Sequence, residues 1–170
     1  VPTIAVPTVN VQTSGNIRGA RVEAANRYIY LDTNPNGLSA ANFKSLVTFA
    51  TTNADTVTYE IKNNGSTLGT GDLVPTGAKV TVKASNASGG SATVTYTVII
   101  LGDTNCNGRI ESGDATRIAL HYAGVRTMTG DALLAADANR NGRIESGDAV
   151  KISVKYSYAW NDKSYASSLR

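Results

Sequence analysis

The sequence predicts an α+β chain of two modules. An N-terminal β-rich, sandwich-like domain with one short helix is followed by an all-α module of two loop–helix repeats. Three observations carry this expectation. Residues 9–101 hold runs of alternating Val, Thr, Ile and Tyr broken by Gly-, Asn- and Pro-containing turns, the two-residue period of half-buried strands. Residues 103–114 (DTNCNGRIESGD) and 137–148 (DANRNGRIESGD) are near-copies of one another. Each copy runs into a helical apolar pattern, DATRIALHYAG after the first and DAVKISVKYSY after the second.

Taken in order, residues 1–8 (VPTIAVPT) carry two of the four prolines and read as the end of a Pro/Thr linker. Strand signals follow at 9–12 and 28–32. The turn NPNG at 34–37 leads into a short helix with Ser39 as N-cap and Phe43, Leu46 and Val47 on one face. Strands resume at 56–62, 78–84 and 92–101, separated by NNGS, PTG and NASGG turns. The strand 92–101 runs into Gly102 and Asp103 with no flexible spacer, so the modules 9–101 and 102–158 should be held close. GDALLAA, before the second loop, is at most a short helix, and residues 159–170 form a C-terminal tail.

Within the two loops, oxygen side chains fall at positions 1, 3, 5, 9 and 12, with Gly at 6 and Ile at 8. That is the ligand spacing of an EF-hand-like calcium loop. Calcium is a hard cation that takes six to eight oxygen ligands. The first set is Asp103, Asn105, Asn107, the carbonyl of Arg109, Glu111 through a water, and Asp114. The second is Asp137, Asn139, Asn141, the carbonyl of Arg143, Glu145 and Asp148, which implies two Ca2+ ions. Gly108 and Gly142 stand where the chain must turn with positive φ. Ile110 and Ile144 return to the apolar side, where the loops can pair back to back. Neutral Asn at positions 3 and 5 predicts modest affinity, suited to extracellular calcium. A strand precedes the first loop and a helix follows each loop, which argues against an intracellular calcium sensor.

In the helix after the first loop, Ala115, Ile118, Ala119 and Tyr122 form a stripe at helical spacing; Ala149, Ile152, Ser153 and Tyr156 repeat it. Both stripes are expected in the core. The neighbouring stripe, with Thr116, Arg117, Leu120 and His121 in the first copy, mixes apolar and basic groups and suits a binding face with a hydrophobic centre and a charged rim.

GDTNCNGRIESGDA and ADANRNGRIESGDA, each followed by an amphipathic helix, resemble the dockerin, the module that plugs into cohesin domains of cellulosome scaffolds. The resemblance covers about residues 102–158. NGLSAANFKSLV, GTGDLVPTGAKVTVK and TVTYTVIILGD resemble, more loosely, the small X-type module that often precedes dockerins. The resemblance implies an extracellular, calcium-dependent docking module of a plant-polysaccharide-degrading complex. It also implies a cohesin-binding face made by Ser112, Gly113, Thr116, Arg117, Leu120 and His121, and by Ser146, Gly147, Val150, Lys151, Val154 and Lys155. The Ser-Thr pair of many enzyme-borne dockerins is Ser-Gly in both copies here. Two-fold-related copies would let a partner bind in either of two orientations.

At 170 residues the chain has room for one or two small domains, and a net charge of +3 without a Lys/Arg run gives no footprint for nucleic acid. No apolar run is long enough to span a membrane. No signal peptide opens the sequence, which reads as a mature chain or an excised piece. The single cysteine, Cys106, rules out an internal disulfide and sits at a non-ligand loop position expected to point outward. No paired carboxylates or nucleophile motif suggest an enzyme, and the sole His121 lies on the helix face. The alternative is a calcium-rigidified stalk or adhesive module without a cohesin partner. Most of Tyr28, Tyr30, Phe43, Phe49, Tyr59 and Tyr96 fall at expected core positions, so no aromatic platform for sugar is predicted.

Overall fold

A computed structural model describes residues 3–157. The expected tail at 159–170 lies outside the described residues, as do Val1 and Pro2 of the expected linker and residue 158. The elements are β1 (Thr8–Val11), β2 (Ile17–Glu23), β3 (Tyr28–Thr33), α1 (Ala40–Leu46), β4 (Val47–Ala50), β5 (Thr56–Asn63), β6 (Ser66–Thr67), β7 (Lys79–Ser85), β8 (Ser91–Ile100), α2 (Ser112–Tyr122), α3 (Gly130–Ala136) and α4 (Ser146–Ser157).

Six strands form one sheet in the order β2-β3-β8-β7-β5-β6, and β1 and β4 form a small second sheet. The pairs are antiparallel except β3–β8, which is parallel. β8 shows why its residues make a strand. Val94, Tyr96 and Val98 are buried while Thr93 and Thr95 face solvent, the alternation that one covered face requires. From Val98 to Ile100 the alternation stops and every residue is buried, because the second face is covered there too. Ile99 joins Tyr30, Leu101 and Ala135 in a small cluster under α3. On the opposite face α1 and the small sheet complete a sandwich-like core, with Phe43 edge-on to Tyr59 and Phe49 packed on both Tyr59 and Tyr96. The half-buried Tyr59 hydroxyl donates to the carbonyl of Val47, and desolvation pushes its pKa up to about 12. Of the six aromatics of residues 9–101, most of them expected in the core, Tyr30, Phe43 and Tyr96 are buried and the other three half-buried.

Ser39 caps α1 as anticipated, its hydroxyl accepting from the Asn42 N–H at 3.2 Å. Val47, expected on the helix face, is buried as the first residue of β4, where it pairs with Val11. β2 was not foreseen, because Gly19 and two arginines break its alternation and its register with β3 slips between Ile17 and Gly19. Residues 3–7, expected as linker, lie along the β domain. Ile4 and Pro7 are buried, the Pro7 carbonyl accepts from the Tyr96 hydroxyl at 2.8 Å, and Asn53 Nδ2 donates to the Thr3 carbonyl at 3.1 Å.

The helical part is not packed by itself. Ile110, Ala115, Ile118, Met128, Ala136, Ala138 and Ile152 belong to one continuous cluster with Ile17, Leu31, Val80, Val98 and Ile100. Backbone bonds cross the junction as well, from Gly102 N–H to the Ala135 carbonyl at 2.8 Å and from Ile110 N–H to the Pro35 carbonyl at 2.9 Å. The second of these ties the first loop to the β domain, while Ile110 and Ile144 both pack on the apolar cluster. Gly102, at φ +95°, lets the chain leave β8 with Ile152 packed directly over it; a Cβ there would collide with the Ile152 side chain.

Candidate metal-binding and docking site

The first loop wraps its backbone around its own side-chain oxygens. Asp103 Oδ1 accepts from Asn107 N–H at 2.9 Å, and Oδ2 accepts from Gly108 N–H at 3.0 Å. Asn105 Oδ1 and Asn107 Oδ1 each accept from the backbone N–H two residues on, at 3.0 and 2.8 Å. Asp114 sits in the first turn of α2 and returns to the loop start: its Oδ1 accepts from Thr104 and Asn105 N–H, both at 3.0 Å, and its Oδ2 from Glu111 N–H at 2.8 Å. Gly108 holds φ +82° at the turn.

The second loop repeats this almost bond for bond. Asp137 accepts from Asn141 and Gly142, Asn139 from Asn141, Asn141 from Arg143, and Asp148 from Asn139 and Glu145, all between 2.9 and 3.1 Å. The structure thus brings together in each loop the side chains expected at positions 1, 3, 5 and 12. Glu111 and Glu145, at position 9, stay toward the surface, Glu111 exposed and Glu145 half-buried.

Burial makes these carboxylates unusual. Asp103, Asp114 and Asp148 are fully buried and Asp137 is 7 % exposed. Burial pushes Asp103 up to about 6 despite its three backbone donors, with the Asp114 charge adding to the effect. Burial also raises Asp114, and raises Asp148 with Asp137 adding. Among the described residues no salt bridge reaches any of the four. Each loop therefore holds two facing carboxylates with no salt bridge to either among the described residues, an arrangement that is costly without a bound cation. No group of three or more His, Cys, Asp or Glu side chains converges among the described residues; the side-chain oxygens drawn into each loop's hydrogen bonds are those of two aspartates and two asparagines. Mixed, all-oxygen sets of that kind suit calcium and disfavour zinc or copper.

Residues 101–154 match the dockerin type I domain family. The match supports a dockerin module over that segment, which is under half of the chain. Dockerin type I domains are calcium-binding modules that dock onto cohesins in cellulosome assembly. No curated protein and no solved structure gave a significant match to the chain.

On the helices of the matched segment, Ser112, Gly113 and Thr116 are exposed, and Arg117, Leu120 and His121 are half-buried. Ser146 and Gly147 are exposed, Lys151 is half-buried, and Val150 and Val154 are 61 % and 36 % exposed. Lys155 departs from expectation. It is buried, with Nζ 2.7 Å from Asp32 Oδ1 and 3.1 Å from the Leu101 carbonyl, because α4 lies against the end of β3 and the Lys155 stem is drawn into the junction. Burial lowers the pKa of nearby Lys151, with Asp32 pulling the other way.

The core stripes are half right. Ala115, Ile118 and Ile152 are buried, but Ala119 is exposed and Tyr122 and Tyr156 are 58 % and 36 % exposed. The segment after α2 explains Tyr122. It folds back on the other side of the helix, where Val125 and Arg126 N–H reach the Leu120 carbonyl and Met128 N–H donates to His121 Nδ1 at 3.0 Å. Cys106 is half-buried rather than outward, and burial lifts its thiol to about 11. Sequence reasoning missed Thr76, whose backbone N–H donates to Asp103 Oδ2 at 2.8 Å, and Asp32, the partner of Lys155. Neither carries a motif: one acts through its backbone and the other is a lone acid at a strand end.

Proposed function

We propose that this chain is a calcium-dependent docking element that binds a cohesin domain outside the cell, in assembly of a polysaccharide-degrading complex, and carries no catalysis of its own. The single observation that carries the reading is the paired, charge-deficient oxygen loops inside a segment matched by the dockerin family. Two calcium ions are proposed, one held by Asp103, Asn105, Asn107, Arg109, Glu111 and Asp114, the other by Asp137, Asn139, Asn141, Arg143, Glu145 and Asp148. Calcium, when bound, supplies the positive charge that the facing carboxylates lack.

The proposed partner face comprises Ser112, Gly113, Thr116, Arg117, Leu120 and His121 from α2, with Ser146, Gly147, Val150, Lys151 and Val154 from α4. Exposed Val150 and Val154 would be its apolar centre, and Lys151 and Arg117 its basic rim. Two orientations remain part of the proposal, but as unequal ones: with Lys155 withdrawn against Asp32, the copy on α4 lacks the polar group that His121 offers on α2. The β-rich part, residues 9–101, is proposed as an X-type support that braces the dockerin. No helix among the described residues is long and apolar enough to cross a membrane.

Pull-down of the full chain with a panel of cohesins tests the reading. Capture in calcium that Val150→Asp weakens about tenfold or more, with the melting temperature unchanged, supports it. Capture by no cohesin in the panel returns the chain to the stalk reading.

A further inference from the structure

The two loops match in sequence and internal hydrogen bonding, yet they meet very different surroundings. Asp103 has a third donor with no counterpart at Asp137 among the described residues, the Thr76 N–H in the turn before β7, at 2.8 Å on the same oxygen that takes the Gly108 N–H. Among the described residues Asp137 receives only the two donors of its own loop. The turn glycines differ in the same sense. A Cβ on Gly108 would meet Leu73 Cβ at 2.9 Å and the Val74 carbonyl at 3.4 Å, whereas one on Gly142 would meet nothing within 4 Å. Gly37, at φ +98°, presses on the first loop from another side, where a Cβ would lie 2.6 Å from the Gly108 carbonyl oxygen. The Ile110 N–H, at loop position 8, is tied to Pro35 at 2.9 Å. The β domain therefore touches the first loop at positions 1, 6 and 8. It touches the second through the side chain of Arg140, which pairs with Glu23 and lies 3.6 Å over the Tyr30 ring.

We propose that the β domain is a built-in part of the first calcium site: the 34–37 turn, Leu73 and the Thr76 N–H preorganise loop 103–114, so that it fills at lower calcium than loop 137–148. A loop already held in its binding conformation loses less entropy on taking the ion. A donor that orients a ligand carboxylate from outside the coordination shell is worth about 10–100-fold in metal affinity. The chemistry is one-sided, since the second loop has the same ligands without the brace. The filling order couples the β domain to calcium: the first ion locks the junction, and the second responds to calcium at higher concentration. This inference rests on the calcium reading above and goes beyond it.

The test is a calcium titration of the 15N-labelled full chain, following the amides of Gly108, Gly142 and Thr76. The expected result is that Gly108 and Thr76 move together, with a midpoint at least about tenfold below that of Gly142. Gly37→Ala should raise the Gly108 midpoint toward that of Gly142 and leave the Gly142 midpoint where it was. Gly65→Ala, a strained turn with open space around it, is the control and should move neither. Coincident midpoints in the unmodified chain, or a Thr76 amide that does not respond, would overturn the inference even if Gly37→Ala fails to fold, while leaving the calcium reading intact. Amides of Gly108 and Gly142 that both ignore calcium would overturn the two together.

Discussion

Asp103 is the residue on which most of the chemistry converges. It is fully buried, receives backbone N–H donors from its own loop and from the β domain, and faces Asp114. Its carboxyl is raised from 3.8 to about 6, so the calcium-free fold holds the proton more tightly than the unfolded chain does. That contribution to stability is fully present below the unfolded value of 3.8 and is lost as pH rises through about 6. Calcium needs the ionised form, so it acts in the opposite sense. Two outcomes are expected: the calcium-free chain melts several degrees lower at pH 7 than at pH 4.5, and calcium affinity falls steeply as pH drops below about 6. Scanning calorimetry and calcium titration across pH check both, and a calcium affinity flat from pH 7 to 5 would contradict the role given to Asp103. The clustering of Asp103, Asn105, Asn107 and Asp114 was legible because a loop of this kind is a local code in which spacing alone sets which oxygens come together. Thr76 was not legible, being 27 positions away and acting through a backbone group that every residue but proline carries.

At the scale of elements, α4 is joined to the sheet by a buried ion pair. Lys155 and Asp32 are 0 % and 2 % exposed, and Asp32 Oδ2 has no hydrogen-bond partner among the described residues. Removing the cation alone leaves a buried carboxylate uncompensated, so Lys155→Met should cost about 3–5 kcal/mol. Adding Asp32→Leu should recover most of that loss, because an apolar pair of similar size replaces a costly ionic one. Urea unfolding of the single and double variants measures the cycle, and a single-variant loss under about 1 kcal/mol would show that the pair is not tied into the fold. The helices themselves were readable from their period: α2 and α4 cover the expected runs but begin two residues before them, at Ser112 and Ser146, so that Asp114 and Asp148 fall in their first turns. Which flank they bury was not readable, because Lys155 and Tyr122 owe their places to β3 and to the segment folded back after α2. β2 escaped for a related reason: its strand state comes from pairing with β3, against a sequence with little alternation of its own.

For the whole molecule, the shared core changes what calcium removal should do. A self-contained dockerin would melt away from an intact β domain. Here Ile110, Ile118 and Ile152 pack into the same cluster as Val98 and Ile100, and the first loop hangs on Thr76. Chelation should therefore lower one cooperative transition of the described fold by several degrees rather than split it in two. Calorimetry with and without chelator reads this directly, and an unmoved upper transition beside a new lower one would contradict the shared core. The two-part plan was legible because period-two and helical patterns occupy separate stretches of sequence. The fusion was not, since it depends on contacts between residues far apart in the chain.

The measurement closest to the central claim is titration calorimetry of the full chain into its best-captured cohesin, in excess calcium and again in excess chelator. The account predicts saturable one-to-one binding in calcium and none in chelator, with binding restored when calcium is returned. Binding of equal strength under both conditions would contradict it.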